Sequence, residues 1–568
     1  MKHLLSTLFA VLWLVAPTLT SRAWAQDQTK TQDQVQVQVQ AAPVAVRILA
    51  INDFHGNLRP PAGGIRISDP DDASKKIAVP AGGSEAMATL VRQLRQANRN
   101  NIFVAAGDLI GASPLLSALF HDEPTIEALS LMGLEISAVG NHEFDEGKDE
   151  LLRMQNGGCH PSDGCQGPRP FTGARFHYLA ASTFDKTTGK TLFPPYEIRW
   201  FDGIPIGFIG LTLKGTAEIV SPTGIADLEF HDEADTVNAA VAELRARGVE
   251  AIVVLIHEGG YPTGDYNECP DISGAIVDIV KKFDRAVDLV ISGHTHQAYV
   301  CEIDGRLVTS GDKFGTLVTS IDLTIDPATR DVIAAKADNV IVRTKTTAGD
   351  PEQTALLRSY ERLAAPIANR SSGSVTATLS RTPNAAGESV LGDIIADAQL
   401  EATHTDKDGA AIALTNPGGI RTDISGQDEG RVSYADLFAS QPFRNQLVTL
   451  TLTGQQIKDL LEQQWLDPKR PRILQVSRGF SYAWDALRPA GDHVIAERLQ
   501  LNGQPLDPIA IYRVTVNNYL AAGGDGFSIL KAGTAPRFSI YDADALHGYF
   551  QAHSPIAPGN ADRILRLN

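Results

Sequence analysis

Between Val44 and about Val342, apolar runs of strand length alternate with longer stretches of helical periodicity. VAVRILAI, NIFVAAG, LEISAVG, IPIGFIGL, EAIVVLI, AVDLVISG and TSIDLTI predict strands, and SEAMATLVRQLRQANR and DEADTVNAAVAELRARG predict amphipathic helices between them. This alternation predicts a layered α/β architecture, and near-continuous runs such as AIVVLI predict strands covered on both faces. A helix is predicted over 350–370, with an Asp-Pro start, apolar spacing through Leu356, Leu357, Tyr360 and Leu363, and a stop near Pro366. Standing between two differently patterned blocks, it reads as a linker over 343–373. Beyond it, residues 374–568 carry predicted helices (LGDIIADAQLEAT, TGQQIKDLLEQQW) and strands (LVTLTLT, YRVTVNN), enough for a second core. A chain of 568 residues exceeds one hydrophobic core, so blocks 46–342 and 374–568 are expected as separate domains. No fixed-period repeat points to a solenoid or propeller.

The N-terminus changes the picture. Lys2 and His3 precede an apolar run that ends at Pro17, and Ala23-Trp24-Ala25 follows, so residues 1–25 read as a signal peptide cleaved near Ala25. Residues 26–45 read as a polar, flexible leader with nothing apolar enough to bury. No later segment approaches membrane length, so a soluble periplasmic or secreted monomer is expected. Loss of Lys2 and Arg22 takes the formal charge from −17 to −19, which disfavours a nucleic-acid polymer as partner. A small anionic substrate remains compatible if local cations attract it. In an exported chain, four cysteines predict two disulfides, Cys159–Cys165 around CHPSDGC and then Cys269–Cys301. A thiolate metal site is the alternative, although the spacing lacks the tight pairs of zinc ribbons.

Five predicted strands end in turns rich in metal-type ligands: ILAINDFHGN with Asp53 and His55, FVAAGDLIG with Asp108, ISAVGNHEFD with Asn141, His142 and Asp145, VVLIHEGG with His257, and LVISGHTHQ with His294 and His296. In an α/β sheet the crevice beyond the carboxyl ends of the strands is where sites assemble, so the five turns can share one place. Asp53 and His55, two residues apart, are expected to project the same way from an extended segment. The donors are mixed nitrogen and oxygen without sulfur, and more than one ion needs, which suggests two divalent ions bridged by one carboxylate, with Asp108 as the bridge. His142 is then free to act on the phosphate or the leaving oxygen, with Asp145 holding its far nitrogen. His121 and His160 lie outside these turns and read as ordinary surface or core histidines.

The five pieces, in this order, resemble the calcineurin-like metallophosphoesterases. The resemblance implies a four-layered α/β/β/α sandwich over 46–342 and a dinuclear site. It implies Asp53, His55, Asp108 and His296 around one ion, Asp108, Asn141, His257 and His294 around the other, and His142 with Asp145 as the catalytic pair. TNPGGIR, PFRNQLVTLTLTG and YRVTVNNYLAAGGDGF resemble the C-terminal α/β substrate domain of bacterial and ecto 5′-nucleotidases. That likeness implies a nucleotide held by Asn416 and Arg421, with its base between Phe443 and Phe527, and glycines 523, 524 and 526 exposing the Phe527 ring. Two departures stand out: Gly387 occupies the place of a family arginine before Glu388, with Arg381 the nearest cation, and Pro417 follows Asn416. The expected activity is phosphate release from nucleoside 5′-monophosphates using Zn, Mn, Fe or Co. Alternatives are 2′,3′-cyclic-nucleotide or nucleotide-sugar and dinucleotide hydrolysis, a catalytically silent nucleotide binder, or thiosulfate-ester hydrolysis.

Overall fold

The computed structural model describes residues 42–404 and 409–568. The expected signal peptide and residues 26–41 of the leader lie outside them. Every strand anticipated in the first block forms, and together with less obvious segments they build two six-stranded sheets. One sheet runs Val332–Ile341, Leu317–Ile325, Val44–Ile51, Asn101–Ala105, Ile136–Ala138, His177–Leu179 from edge to edge. The other runs Ala298–Ile303, Arg306–Gly311, Leu289–Ser292, Ala251–His257, Ile204–Thr212, Tyr196–Phe201. Val332–Ile341 was not legible beforehand because, as an edge strand, it is mostly exposed and carries little apolar pattern.

Alternate residues explain the layering. Val46, Ile48 and Ala50 point inward to meet Val253, Leu255 and Ile291 of the other sheet, while Leu49 and Ile51 face a helical layer with Met87, Val91, Ile126 and Leu129. On the far side, Ile252, Val254 and Ile256 pack on Val237, Val241 and Leu244 of helix Glu233–Ala246. The result is the α/β/β/α sandwich. The second block has a five-stranded sheet that includes Ile412–Thr415, Ile511–Asn517 and Gln446–Thr453. One of its faces packs with helix Gly454–Glu462, and helix Val390–Thr403 lies against strand Ile412–Thr415.

The helix expected as a linker is docked on the first block. Pro351–Ala368 buries Leu356, Leu357, Tyr360 and Ala364 in that block's core, and Gln353 Nε2 donates to Ala128 O at 2.8 Å. Pro366 lies inside the helix rather than stopping it; it removes one i to i−4 hydrogen bond, and the helix ends two residues later at Ala368. Both expected disulfides are present and no described cysteine is free, so the thiolate metal alternative falls. Among the described residues no helix is long and apolar enough to cross a membrane.

Candidate metal centre

Val44–Ile51 is parallel to Asn101–Ala105, which is parallel to Ile136–Ala138; in the facing sheet Ala251–His257 is parallel to Leu289–Ser292. Their carboxyl ends therefore lie on one side, and the five ligand-bearing turns meet there. The turns are not extended. Asp53, His55, Asp108, His294 and His296 all hold positive φ, between 45° and 69°, a region that L side chains seldom occupy. Asp53 and His55 thus converge because the chain curls left-handed at both residues, not because an extended strand alternates its side chains.

Two donor groups result. In the first, His55 Nε2 lies 3.1 Å from His296 Nε2, 3.9 Å from Asp53 Oδ1 and 3.6 Å from Asp108 Oδ2. In the second, His257 Nε2 lies 2.9 Å from the same Asp108 Oδ2, and His294 Nδ1 lies 3.0 Å from Asn141 Oδ1. Asp108 Oδ1 is occupied by the His142 backbone N–H at 2.9 Å, which leaves Oδ2 alone to face both groups.

The hydrogen bonds decide whether cations fit. His55 Nδ1 and His257 Nδ1 each lie 2.8 Å from a backbone carbonyl, of Gly111 and Ala106, and a carbonyl can only accept. Both rings therefore carry their proton on Nδ1 when neutral and aim a bare Nε2 lone pair into the donor groups. His257 Nε2 is buried and not aligned to hydrogen-bond with anything, though it stands beside a carboxylate oxygen. Positive charge is wanted between these atoms at 2.9–3.1 Å; a proton supplies it where no ion is bound, and the nitrogen and oxygen donor set suits a divalent cation in its place. Burial pushes His294 down to about 3 and His55 well below its usual value, aided for His294 by His257, so both are neutral donors. Burial opposes charge on His257 and Asp108 as well, but their attraction overrides it, raising His257 to about 10 and holding Asp108 well down.

Two side chains outside the expected set hold this arrangement. Asn52 Nδ2 donates to Asp53 Oδ2 at 2.7 Å while its Oδ1 accepts from Gly311 N at 2.7 Å. The buried Glu143 carboxylate accepts from the backbone N–H groups of Asp108 at 2.9 Å, Leu109 at 2.8 Å and Gly140 at 2.6 Å, tying two ligand turns together. Burial, then the Asp108 charge, push this group upward, and the three N–H donors hold it as the carboxylate they require. His142 sits beside the first group, its ring centroid 4.9 Å from that of His55. Its Nδ1 lies 2.8 Å from Asp145 Oδ2. Burial lowers the imidazole, but Asp145 and Asp108 more than offset this, and the net shift is upward.

The second block closes over this place. A cavity of about 200 Å³ is lined by Asn141, His142, Asp145 and His294 on one side and by Asn416, Arg421, Phe443, Tyr519 and Asp525 on the other. Phe443 stacks on His142 with centroids 5.8 Å apart, and the Arg421 guanidinium lies 5.8 Å from the Phe443 ring. The sequence profile of the calcineurin-like phosphoesterases matches residues 46–298, and that of the 5′-nucleotidase C-terminal domain matches residues 366–532. The chain joins a calcineurin-like phosphoesterase domain to a 5′-nucleotidase C-terminal domain. Endonuclease YhcR of Bacillus subtilis (strain 168) is 33% identical over 524 residues, covering 92% of this chain and 41% of that protein. Cell wall protein Lmo0130 of Listeria monocytogenes is 33% identical over 530 residues, covering 86% of this chain and 65% of that protein. The chain thus spans less than two thirds of either relative. The crystal structure of a 5′-nucleotidase precursor from Thermus thermophilus superposes with a TM-score of 0.74 at 27% identity, covering 92% of this chain and 100% of that one.

For a calcineurin-like phosphoesterase with this second domain, one expected residue is misplaced. Phe527 is fully buried in the C-terminal core with Leu520, Leu530 and Trp465, so neither of its faces is open to a base. The aromatic residue that reaches the cavity beside Phe443 is Tyr519. Its hydroxyl donates to Asp525 Oδ1 at 3.0 Å and accepts from Asp525 N at 2.9 Å, and a Cβ at Gly524 would overlap its ring. The Gly-rich turn therefore serves Tyr519, which precedes it by four residues, a spacing that sequence reasoning passed over. Asn416 is buried, its Nδ2 on Asp525 Oδ2 at 2.8 Å, and Pro417 starts a short 3-10 turn where its fixed φ is at home. A side chain at Gly387 would run into Ile473, so no arginine fits there. Arg381 acts electrostatically on both Arg421 and Lys313, which places a second and third cation beside Arg421.

Proposed function

We propose that this chain is an exported, dinuclear metal-dependent phosphohydrolase releasing phosphate from nucleoside 5′-monophosphates. The observation that carries the reading is the sharing of Asp108 Oδ2 by two donor groups next to a cavity whose opposite wall offers Arg421, Phe443 and Tyr519. Asp53, His55, Asp108 and His296 would hold one cation, and Asp108, Asn141, His257 and His294 the other. When bound, such a pair supplies neutralisation of phosphoryl charge and activation of water.

The chain's own groups do the rest. Arg421 offers a planar fork to a phosphoryl oxygen, and Arg381 and Lys313 add positive potential in a protein whose net charge is −17. With Nδ1 tied to Asp145, His142 presents Nε2–H toward the leaving ribose oxygen and donates that proton as the ester bond breaks. Phe443 and Tyr519 give the base flat faces, each worth ~1–3 kcal/mol by stacking. Asp525 keeps acceptor capacity for ribose hydroxyls beyond its bonds to Tyr519 and Asn416. Two disulfides without a free described cysteine support an oxidising compartment.

The test is phosphate release from AMP, 2′,3′-cyclic AMP and UDP-glucose assayed side by side, before and after chelation and readdition of single metals. AMP is expected to turn over fastest, and only with metal. Turnover of the cyclic compound alone overturns the substrate assignment, and tight nucleotide binding with no metal-dependent release overturns the enzyme.

A further inference from the structure

His121 and His160, which the sequence left as ordinary histidines, are brought face to face, with ring centroids 3.8 Å apart and planes 6° from parallel. Glu146 and Glu150 join them. One nitrogen or oxygen from each of the four lies within 4.8 Å of all the others, in a group separate from those around Asp108. His121 is buried, His160 and Glu150 are half-buried, and Glu146 is exposed, so the cluster is held from within and open to solvent on one side.

An imidazolium clamped between carboxylates explains part of this. His121 Nδ1 lies 2.8 Å from Glu146 Oε2 and its Nε2 lies 2.9 Å from Asp163 Oδ2. It leaves His160 loosely held: its Nδ1 accepts from Asp163 N at 3.1 Å, which puts the neutral ring's proton on Nε2, 3.9 Å from Glu146 Oε2, so ligation through Nε2 requires that proton to move to Nδ1 and the Asp163 bond to break. The clamp does not settle the charge either. Glu146 and Asp163 bind His121 and feel the charge of Arg444, while Glu150 and Glu123 bind Arg153, so four carboxylates face two fixed cations. Even a charged His121 leaves that network anionic. Two imidazoles and two carboxylates are a donor set suited to zinc or a similar borderline ion. Donors around a tetrahedral zinc stand roughly 3.4 Å apart, given bonds of ~2.1 Å, so small side-chain rotations complete the site.

We propose that His121, Glu146, Glu150 and His160 form a further divalent-cation site. His160 lies in the loop closed by Cys159–Cys165, Glu150 lies on helix Lys148–Asn156, and Glu146 directly follows Asp145. The ion fastens the disulfide loop to the turn that carries His142 and Asp145. The cluster also borders a crevice lined by Asp145, Phe443 and Arg444, so the ion sits where the second block meets the first.

The experiment counts zinc bound per chain in the full protein, equilibrated with Zn²⁺ against a competing chelator, for wild type, His160→Gln, Glu150→Gln and Asp108→Asn. The first two variants should each hold one zinc fewer than wild type, whereas Asp108→Asn should lose zinc from the other groups and keep this one. The readout is a difference of one, so it stands whether or not the ions around Asp108 bind as proposed. Equal counts in wild type, His160→Gln and Glu150→Gln overturn the proposal and leave an imidazolium between Glu146 and Asp163. Should the variants misfold, anomalous diffraction from zinc-soaked wild-type crystals decides: a peak among these four side chains supports the site, and its absence there overturns it.

Discussion

Glu143 offers the sharpest test of how the ligand turns are held. Its three hydrogen bonds all come from backbone N–H donors, two to Oε2 (Asp108 and Gly140) and one to Oε1 (Leu109), so the geometry fits a carboxylate and no hydroxyl donor. Glu143→Ala leaves three buried N–H groups unsatisfied at about 1–3 kcal/mol each, or about 3–9 kcal/mol in all. That rivals the whole stability of an ordinary domain, about 5–15 kcal/mol. Glu143→Gln is the informative change. With its amide oxygen at the Oε2 position it keeps two bonds and turns an NH₂ toward Leu109 N–H, a loss of about 1–3 kcal/mol. Because Asp108 is itself a proposed ligand and Gly140 adjoins another, Asn141, metal affinity should also fall by about 10–100-fold, as when other outer partners of a metal site are removed. Differential scanning calorimetry and metal titration of the two variants measure both quantities. A Glu143→Gln protein with wild-type unfolding temperature and metal affinity would refute the reasoning, since the hydrogen-bond count would then carry no energy.

Other expectations follow from the same geometry. Asp145→Asn removes the carboxylate that raises His142, so the alkaline limb of the kcat profile, where the imidazolium loses its proton, should move to lower pH, with kcat down by about 10²–10⁴-fold; an unmoved limb assigns the proton donor elsewhere. Tyr519→Ala and Phe443→Ala should raise KM for AMP with little change in unfolding temperature, whereas Phe527→Ala, a core truncation, should cost about 3–5 kcal/mol of stability. Burial, and then Asp331, raise Asp288 to about 8, so the folded chain holds that proton more tightly than the unfolded one. Its stabilising contribution is complete below about pH 4 and lost as pH rises to about 8; Asp288→Asn should flatten the fall in unfolding temperature across that window. Chelation should abolish phosphate release and a single added metal should restore it, with loss of activity that no metal restores counting against the reading.

The alternation of strand-length apolar runs with helical stretches was enough to predict a layered α/β architecture, because strands buried on both faces have no freedom to be polar; the four-layered sandwich was implied by the family resemblance. The donors Asp53, His55, Asp108, Asn141, His257, His294 and His296 were legible for a related reason: each sits where an apolar run stops, and strand ends are where a parallel sheet gathers its site. What the sequence could not convey depended on neighbours distant along the chain. The docking of helix Pro351–Ala368 on the first core, the choice of Tyr519 over the buried Phe527, and the role of Glu143 are all set by which surfaces meet. His121 and His160, 39 positions apart, became partners only when the Cys159–Cys165 loop was folded back against the turn after His142. Periodicity reports which face of a segment is buried. It carries no information on what that face is buried against, and in this protein the second question brings Tyr519 to the cavity, seats Glu143 beneath the Asp108 and Gly140 turns and stacks His121 on His160.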